Sequence, residues 1–219
     1  MDFFDYRHPM LSYERELWDD GFSFIAGVDE AGRGPLAGPL VVSAVIFEKD
    51  NQIPVVNDSK KLTAKQREML YDQILSTAKK YSIIELSEDE VDLLNILQAT
   101  HKGMRLAVNE LEIAQFALID GLPVPNMPIK SKAIVKGDAK SASIAAASIL
   151  AKVYRDRLMD KYAELYPQYG FENNKGYGTA KHLEAIKNYG PSLIHRKSFE
   201  PVKSLLNRES KIQMELILQ

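Results

Sequence analysis

The chain has 219 residues, a formal net charge of −2 and no cysteine. This length suits one domain, or one domain with a small appendage, and the lack of cysteine excludes a disulfide framework and thiolate metal sites. No apolar run reaches the roughly 20 residues of a membrane span, and the first 20 residues lack the apolar core of a signal peptide. We therefore expect a soluble, cytoplasmic protein that does not bind membranes.

Apolar runs separated by turn residues predict the elements of the first half of the chain. Residues 23–29 and 39–47 are predicted to be strands, and the short Gly/Pro link between them favours an antiparallel hairpin. Thr63 is placed to cap a helix. Tyr81–Leu86 is predicted to be a short strand, followed by a helix that begins at Ser87 with acids in its first turn.

The second half continues the alternation of strands and helices. The predicted elements are a helix over His101–Glu112, strands over Phe116–Gly121 and Ala133–Asp138, a long helix over Ser143–Leu165, a loop over 173–179, a helix capped by Thr179, and helical residues past Pro201. This order predicts an α/β fold with a mixed sheet. A boundary near Pro167 is expected before a small helical C-terminal part.

Acids follow three of the predicted apolar strands. Asp29 and Glu30 end the first, Asp120 ends another, and Asp138 follows a third. Because sites in open α/β sheets gather at strand ends, we expect these four carboxylates to converge. Converging carboxylates repel one another unless cations intervene, and oxygen ligands suit Mg²⁺ or Mn²⁺. Two such ions can activate water and stabilise the leaving oxygen in phosphodiester hydrolysis.

Two further patterns favour a substrate that carries phosphate. Glycines in the turn Gly32-Arg33-Gly34 let backbone approach a ligand, and Arg33 is a phosphate-binding cation. Basic residues are concentrated from Lys130 to Lys161, with eight bases against three acids. A chain can bind a polyanion through one face while it remains acidic overall.

Some of these patterns leave alternatives. Residues 32–37 also satisfy the dinucleotide fingerprint G-x-G-x-x-A, but that motif needs a helix to begin there, and Pro35 precedes a strand instead. Asp156 is an alternative to Asp138 as the fourth acid. Asp156 follows Lys152 by four residues, the spacing of a salt bridge along one face of a helix. We therefore prefer Asp138 as the fourth acid.

The sequence gives no metal-binding role to three of the histidines and predicts a packing role for the single tryptophan. His101, His182 and His195 show no spacing typical of metal ligands. His182 is expected to pack, or to cap the helix that follows the Tyr177 loop. Trp18 is expected to cover a sheet edge or to pack an N-terminal helix.

Seven motifs occur in one order along the chain. They are residues 26–39 (AGVDEAGRGPLAGP), 57–62 (NDSKKL), 118–121 (LIDG), 135–141 (VKGDAKS), 143–153 (SIAAASILAKV), 155–156 (RD) and 175–179 (KGYGT). With these motifs the chain resembles the ribonuclease HII family, the bacterial type 2 ribonuclease H, over about residues 20 to 200.

The resemblance implies an RNase H-like fold with a mixed sheet flanked by helices. It implies an N-terminal extension over 1–20, a catalytic core over 21–166 and a helical substrate-binding part of the same domain over 167–219. The implied enzyme cleaves the RNA strand of RNA–DNA hybrids and incises 5′ to single ribonucleotides embedded in duplex DNA, as in ribonucleotide excision repair. It leaves 5′-phosphate and 3′-hydroxyl ends, uses Mg²⁺ or Mn²⁺ (two ions in the active complex) and is expected to be a monomer.

The resemblance also implies roles for individual residues. The catalytic and metal-binding residues are Asp29, Glu30, Asp120 and Asp138. The substrate-binding residues are Gly32, Arg33, Gly34, Tyr177, Lys60, Lys140 and Lys152. The glycine-arginine turn is expected to read the ribose 2′-hydroxyl, the group that distinguishes RNA from DNA, and Tyr177 to stack on the sugar that follows the ribonucleotide. The lysines are expected to contact phosphates.

Three other functions stay open on the sequence. A ribonuclease HIII-type enzyme is expected to have a longer N-terminal domain and Lys in place of Arg33. A non-catalytic nucleic-acid-binding module would not need the four acids. A transposase-like or Holliday-junction nuclease of the same fold would give no reason for the Gly32–Gly34 and Tyr177 motifs.

Overall fold

The structure is a computed structural model that describes residues 5, 7–49, 53–55 and 62–208. Lys60, and with it almost all of the predicted motif at 57–62, lies outside the described residues. Among the helices that are described, none combines the length and the apolar character needed to cross a bilayer.

Helices and strands alternate along the described chain. In order they are α1 (Ser12–Asp19), β1 (Ile25–Ala31), β2 (Leu40–Ile46), α2 (Ala64–Thr77), β3 (Lys80–Leu86), α3 (Glu88–Leu94), α4 (Ile96–Glu110), β4 (Phe116–Asp120), β5 (Lys130–Ile134), α5 (Ala142–Leu165), α6 (Phe171–Asn174) and α7 (Ala180–Tyr189). Residues 202–208 are also helical. Short 3₁₀ turns lie at Pro9–Leu11, Gly137–Ala139 and Pro167–Tyr169.

Local capping signals begin three of the helices, as predicted. The hydroxyl of Thr63 accepts a hydrogen bond from the Gln66 amide at the start of α2, and Ser87 forms the same capping box with Glu90 at the start of α3. Thr179 caps α7. Each cap satisfies an amide that the first helical turn leaves without a partner.

The strands form one mixed sheet in the order β3-β2-β1-β4-β5, which confirms the predicted fold class. Strand β1 pairs antiparallel with β2, as the predicted hairpin requires, and parallel with β4. Strand β5 extends the parallel part at one edge. The central strands β1 and β2 are almost wholly buried, which explains their nearly unbroken apolar sequence.

Two compact units divide the chain. The first comprises residues 1–31, 41–85 and 100–154, and the second comprises 32–40, 86–99 and 155–219. This division follows compactness and does not test the predicted domain bounds, which stay a prediction.

Each unit has its own apolar core. In the first, side chains of β2 and β4 such as Val45 and Leu118 pack with Ile144 and Leu150 of α5. Trp18 packs there as well, which confirms that it packs an N-terminal helix. The core of the second unit includes Leu36, Met159, Phe171, Ile186 and Val202.

Three predicted element bounds were wrong. Strand β5 ends at Ile134 and not at Asp138, because Lys136 takes a left-handed conformation (φ 57°) and the chain turns into the 3₁₀ segment Gly137–Ala139. Helix α4 begins at Ile96, five residues before the prediction, because the side chain of Asn95 accepts hydrogen bonds from the first-turn amides. The predicted loop at 173–179 begins with the last two residues of α6.

Candidate active site

Asp29 and Asp120 lie on neighbouring strands of the first unit. Asp120 is the last residue of β4, whereas β1 continues two residues past Asp29, the predicted strand end, to Ala31. The parallel pairing of β1 with β4 places Val28 opposite Ile119, so the next residue of each strand is an acid. Because side chains in paired strands share a face at matched positions, Asp29 and Asp120 project on the same face of the sheet.

Helix α5 covers that face directly over β1. A Cβ added to Gly27 would lie only 2.0 Å from the carbonyl carbon of Ser143, so only glycine lets the helix backbone come this close. Asp29 lies two residues after Gly27 in β1 and therefore on the same face of the sheet, where it accepts a hydrogen bond from the Ser148 hydroxyl of α5. On β2, the hydroxyl of Ser43 donates to the Ala147 carbonyl (2.7 Å).

Asp29 is a buried carboxyl among other carboxyls. Its side chain is 5% exposed, and burial raises its pKa well above the ordinary value, with further upward contributions from the charges of Glu30 and Asp120. Hydrogen bonds from the Glu30 amide (2.7 Å) and from Ser148 oppose this shift only in part. A cation bound beside these groups would stabilise their ionised forms.

The turn after β5 brings Asp138 to the neighbourhood of Asp120. The amide of Gly137 donates a hydrogen bond to Oδ1 of Asp120 (2.6 Å). Gly137 also packs against α5, where an added Cβ would lie 2.6 Å from Cδ1 of Ile144. Asp138, the next residue, is 5% exposed. It reaches this position from a 3₁₀ turn and not, as predicted, from a strand end.

The carboxylates come together without forming a closed ligand set. Across the described part of the chain, no three Asp, Glu or His side chains are grouped closely enough to hold a metal ion. The donor chemistry nevertheless fits a hard divalent cation, since the acids of this cluster offer only carboxylate oxygens.

The predicted substrate-binding turn and Tyr177 lie together in the second unit. A Cβ on Gly34 would stand 3.6 Å from Cε1 of the Tyr177 ring. The amide of Leu36 donates to the Gly176 carbonyl (2.8 Å), which ties the two segments together. The Tyr177 side chain remains 46% exposed, so its ring is available to a ligand.

Comparison with known proteins decides the family. A family model described as Ribonuclease HII matches residues 26–202. The chain belongs to the ribonuclease HII family. A ribonuclease HII from Caldanaerobacter subterraneus subsp. tengcongensis is 54% identical over 191 residues, which cover 87% of this chain and 79% of that protein.

Solved structures agree with this assignment. The ribonuclease H2 of Pyrococcus horikoshii OT3 matches with a TM-score of 0.73 at 30% identity and covers 84% of this chain and 98% of its own. Bst-RNase HIII in complex with Mn²⁺ matches with a TM-score of 0.68 at 18% identity over 91% of this chain and 73% of its own, and that likeness shows the fold alone.

These matches confirm the resemblance, the RNase H-like fold and the predicted enzyme class, a ribonuclease H endonuclease. They decide against the ribonuclease HIII-type and non-catalytic alternatives. The roles of individual site residues stay predictions, because the comparisons concern the family and the fold.

Among the predicted lysines, two can be placed in this ribonuclease HII chain. Lys140 is exposed in the first unit, where its Nζ donates to the Val135 carbonyl (2.8 Å). Lys152 is half-buried on α5 in the same unit. Asp156, the alternative fourth acid, belongs to the second unit, whereas the four preferred acids all belong to the first.

Sequence reasoning missed two buried arginines. Arg155 was counted with the basic stretch expected to face a polyanion, yet it is 1% exposed, and its guanidinium donates to the carbonyls of Ala37, Pro39 and Lys175 (each 2.9 Å). Arg196 is fully buried. Arg155 lies in the motif at 155–156, whereas Arg196 lies outside all seven motifs, and arginine is by default expected at the surface.

Proposed function

We propose that this protein cleaves the RNA strand of RNA–DNA hybrids and incises on the 5′ side of single ribonucleotides embedded in duplex DNA. The observation that carries the proposal is the carboxylate cluster on the neighbouring strands β1 and β4, where buried Asp29 lies beside Glu30 and Asp120. Hydrolysis there leaves 5′-phosphate and 3′-hydroxyl ends. The protein acts as a monomer on nucleic acid, in ribonucleotide excision repair.

The acids hold divalent cations in this proposal. Asp29, Glu30, Asp120 and Asp138 bind Mg²⁺ or Mn²⁺, with two ions in the active complex. Bound ions of this kind activate water and stabilise the leaving oxygen of a phosphodiester. The support is the burial of Asp29 and its repulsion by Glu30 and Asp120, which bound positive charge would offset. Ser148 and the Glu30 amide orient the Asp29 carboxylate.

The second unit recognises the ribose in this proposal. The turn Gly32–Gly34 reads the 2′-hydroxyl, and the exposed ring of Tyr177 stacks on the sugar that follows the ribonucleotide. The proximity of Tyr177 to Gly34 supports a joint role. Lys60, Lys140 and Lys152 contact phosphates, and the exposure of Lys140 supports its part.

The test is incision of an end-labelled DNA duplex that carries one ribonucleotide, with Mg²⁺, with Mn²⁺ and with chelator. An all-DNA duplex of the same sequence is the control. We expect a metal-dependent cut 5′ to the ribonucleotide and none in the control duplex. Binding without a cut in either metal would overturn the proposal in favour of a non-catalytic module.

Matched substitutions test the carboxylate assignment. Asp29→Asn and Asp138→Asn should each lower turnover about 100-fold or more, because loss of several kcal/mol of transition-state stabilisation has that effect. Asp156→Asn, which changes the alternative acid on α5, should keep turnover near that of the unsubstituted protein. The reverse result for Asp138 and Asp156 would move the fourth ligand to Asp156.

A further inference from the structure

Arg196 is bound to both ends of the loop that carries the predicted ribose-reading turn. Its Nη2 donates to the carbonyls of Gly32 (2.7 Å) and Gly38 (2.8 Å), and its Nη1 donates to the carbonyl of Arg33 (3.3 Å). A second bond to Gly38 comes from Nε (3.1 Å). A planar guanidinium with five donors can hold several carbonyls in one fixed arrangement, which a lysine cannot do.

These bonds determine which way the peptide groups of the turn face. The only cis peptide bond among the described residues is Glu200-Pro201, so the peptides from Gly32 to Gly34 are trans. In a trans peptide the N–H points opposite to the C=O. Because the Gly32 and Arg33 carbonyls point at Arg196, the amides of Arg33 and Gly34 point away from it. Successive amides that point the same way make a concave donor site for an oxygen atom.

The segment that carries Arg196 is itself fixed on several sides. Its backbone pairs with the loop, since the Arg196 amide donates to the Leu36 carbonyl (2.8 Å) and the Gly38 amide donates to the Ile194 carbonyl (2.9 Å). Asp92 of α3 accepts hydrogen bonds from the amides of residues 197 and 198 (2.7 and 2.9 Å). Burial and the nearby Arg155 lower the pKa of Arg196 to about 10, so the guanidinium remains charged at neutral pH.

A buried histidine pair links the same segment to Tyr177. Nδ1 of His195 accepts from the Ser192 amide (2.9 Å), so its Nε2 carries the proton and donates to Nε2 of His182 (3.0 Å). Nδ1 of His182 therefore carries a proton and donates to the Tyr177 carbonyl (2.9 Å). One arrangement of protons satisfies all three contacts. His182 was expected to pack or to cap, and it also supports Tyr177.

We propose that Arg196 is the positioning residue for ribose recognition: by holding the carbonyls of Gly32 and Arg33, it presents the amides of Arg33 and Gly34 as paired donors to the ribose 2′-hydroxyl. This inference rests on the proposed function of the turn. It assigns ribose selectivity to a buried side chain that does not touch the substrate.

The test compares binding of two duplexes, so it does not depend on turnover. Fluorescence anisotropy in chelator measures Kd for a DNA duplex with one ribonucleotide and for the all-DNA duplex. The unsubstituted protein should bind the ribonucleotide duplex more tightly. Arg196→Lys, and Arg196→Gln as a second variant, should lose at least half of that preference on a logarithmic scale, with little change in Kd for all-DNA duplex.

Tyr169→Phe is the matched control. It removes one part-buried hydrogen bond to a backbone carbonyl in the same unit, from the Tyr169 hydroxyl to Gly190 (2.7 Å), and leaves every hydrogen bond of Arg196 in place. It should keep the ribonucleotide preference whatever it does to stability. An equal loss of affinity for both duplexes in the Arg196 variants would overturn the proposal, because a merely structural role weakens both.

A measurement on the unsubstituted protein covers the case in which neither Arg196 variant folds. The ¹⁵N–¹H resonances of Arg33 and Gly34 should shift with the ribonucleotide duplex and much less with the all-DNA duplex. Equal shifts with both duplexes would overturn the proposal. If the unsubstituted protein itself showed no preference between the duplexes, the proposed ribose-reading function of the turn would be refuted. If the Arg196 variants kept the preference, only the positioning role of Arg196 would be refuted.

Discussion

Replacing Gly27 by alanine should force helix α5 away from the sheet. The added Cβ would lie 2.0 Å from the Ser143 carbonyl carbon and 2.3 Å from the Ile144 amide nitrogen, whereas unstrained carbon contacts are about 3.5–4.0 Å. The helix backbone would have to retreat by roughly 1.5 Å in a close-packed interior. Overpacking typically costs about 1–3 kcal/mol, and a clash with main chain belongs at the upper end of that range.

For a chain of this length, 1 kcal/mol shifts Tm by roughly 2–4 °C, so we expect Gly27→Ala to lower Tm by about 6–12 °C. Thermal and urea unfolding followed by circular dichroism would measure the loss. Turnover should also fall, because the retreat of α5 draws Ser148 away from Asp29.

Gly34→Ala is the matched control for stability, since its Cβ would meet only the Tyr177 ring at an ordinary 3.6 Å. Its Tm should stay within about 2 °C of the unsubstituted value, as a change of up to roughly 0.5 kcal/mol implies. An unchanged Tm and urea midpoint for Gly27→Ala would refute the account of how α5 lies on β1.

Two other predictions concern the second unit. Tyr177→Ala should lower the rate of incision at a single ribonucleotide about tenfold, because it removes one stacking contact worth roughly 1–3 kcal/mol. Tyr189→Ala, which removes another exposed tyrosine, is the control and should leave the rate unchanged. Equal rates for the two variants would show that Tyr177 is not part of the site. Burial and the neighbouring His182 lower the pKa of His195 from 6.5 to about 4, so the stability this pair contributes is fully present above pH 6.5 and is lost as pH falls toward 4. His195→Asn, which keeps an acceptor for the Ser192 amide, should therefore lose less Tm between pH 7.5 and 5 than the unsubstituted protein, and parallel losses would contradict this.

Local signals predicted much of the fold and part of the candidate site. Thr63 and Ser87 cap their helices because a cap depends only on residues three positions away. Asp29 and Asp120 were recognised because each directly follows a buried apolar run, and the pairing of β1 with β4 then sets them side by side. These features depend on residues that are close together in the sequence, so they can be predicted from it.

The position of Asp138 could not be predicted from local sequence signals alone. The run before it has the apolar character of a strand, but β5 lies at the edge of the sheet, where its first three residues are exposed and its side chains follow no clear pattern. The left-handed Lys136 and the packing of Gly137 against Ile144 then determine the turn. These last constraints come from α5 and are not visible in the run itself.

Glu14 was missed for a similar reason. It lies in an acidic N-terminal stretch that was expected to be an extension, yet it is fully buried. Its Oε1 accepts hydrogen bonds from the Ser141 hydroxyl (2.6 Å) and the Ser143 amide (3.0 Å), and so caps α5 from 127 residues away. No local pattern encodes a contact over that separation.

Glu14, Arg196 and Asp29 are all buried ionisable groups, and they differ in the groups that surround them. Oε1 of Glu14 accepts from the start of a helix, although burial raises the pKa of this carboxyl as well. Arg196 donates to loop carbonyls. The hydrogen-bond partners of these two groups are thus of complementary polarity. Asp29 instead lies beside two other carboxyls; burial raises its pKa, and the charges of these neighbours raise it further. A folded-state pKa above the unfolded value means that the ionisation of Asp29 lowers stability as pH rises above the unfolded pKa. A carboxyl held beside other carboxyls is costly unless positive charge offsets the repulsion, which supports the proposal that Asp29 binds a cation.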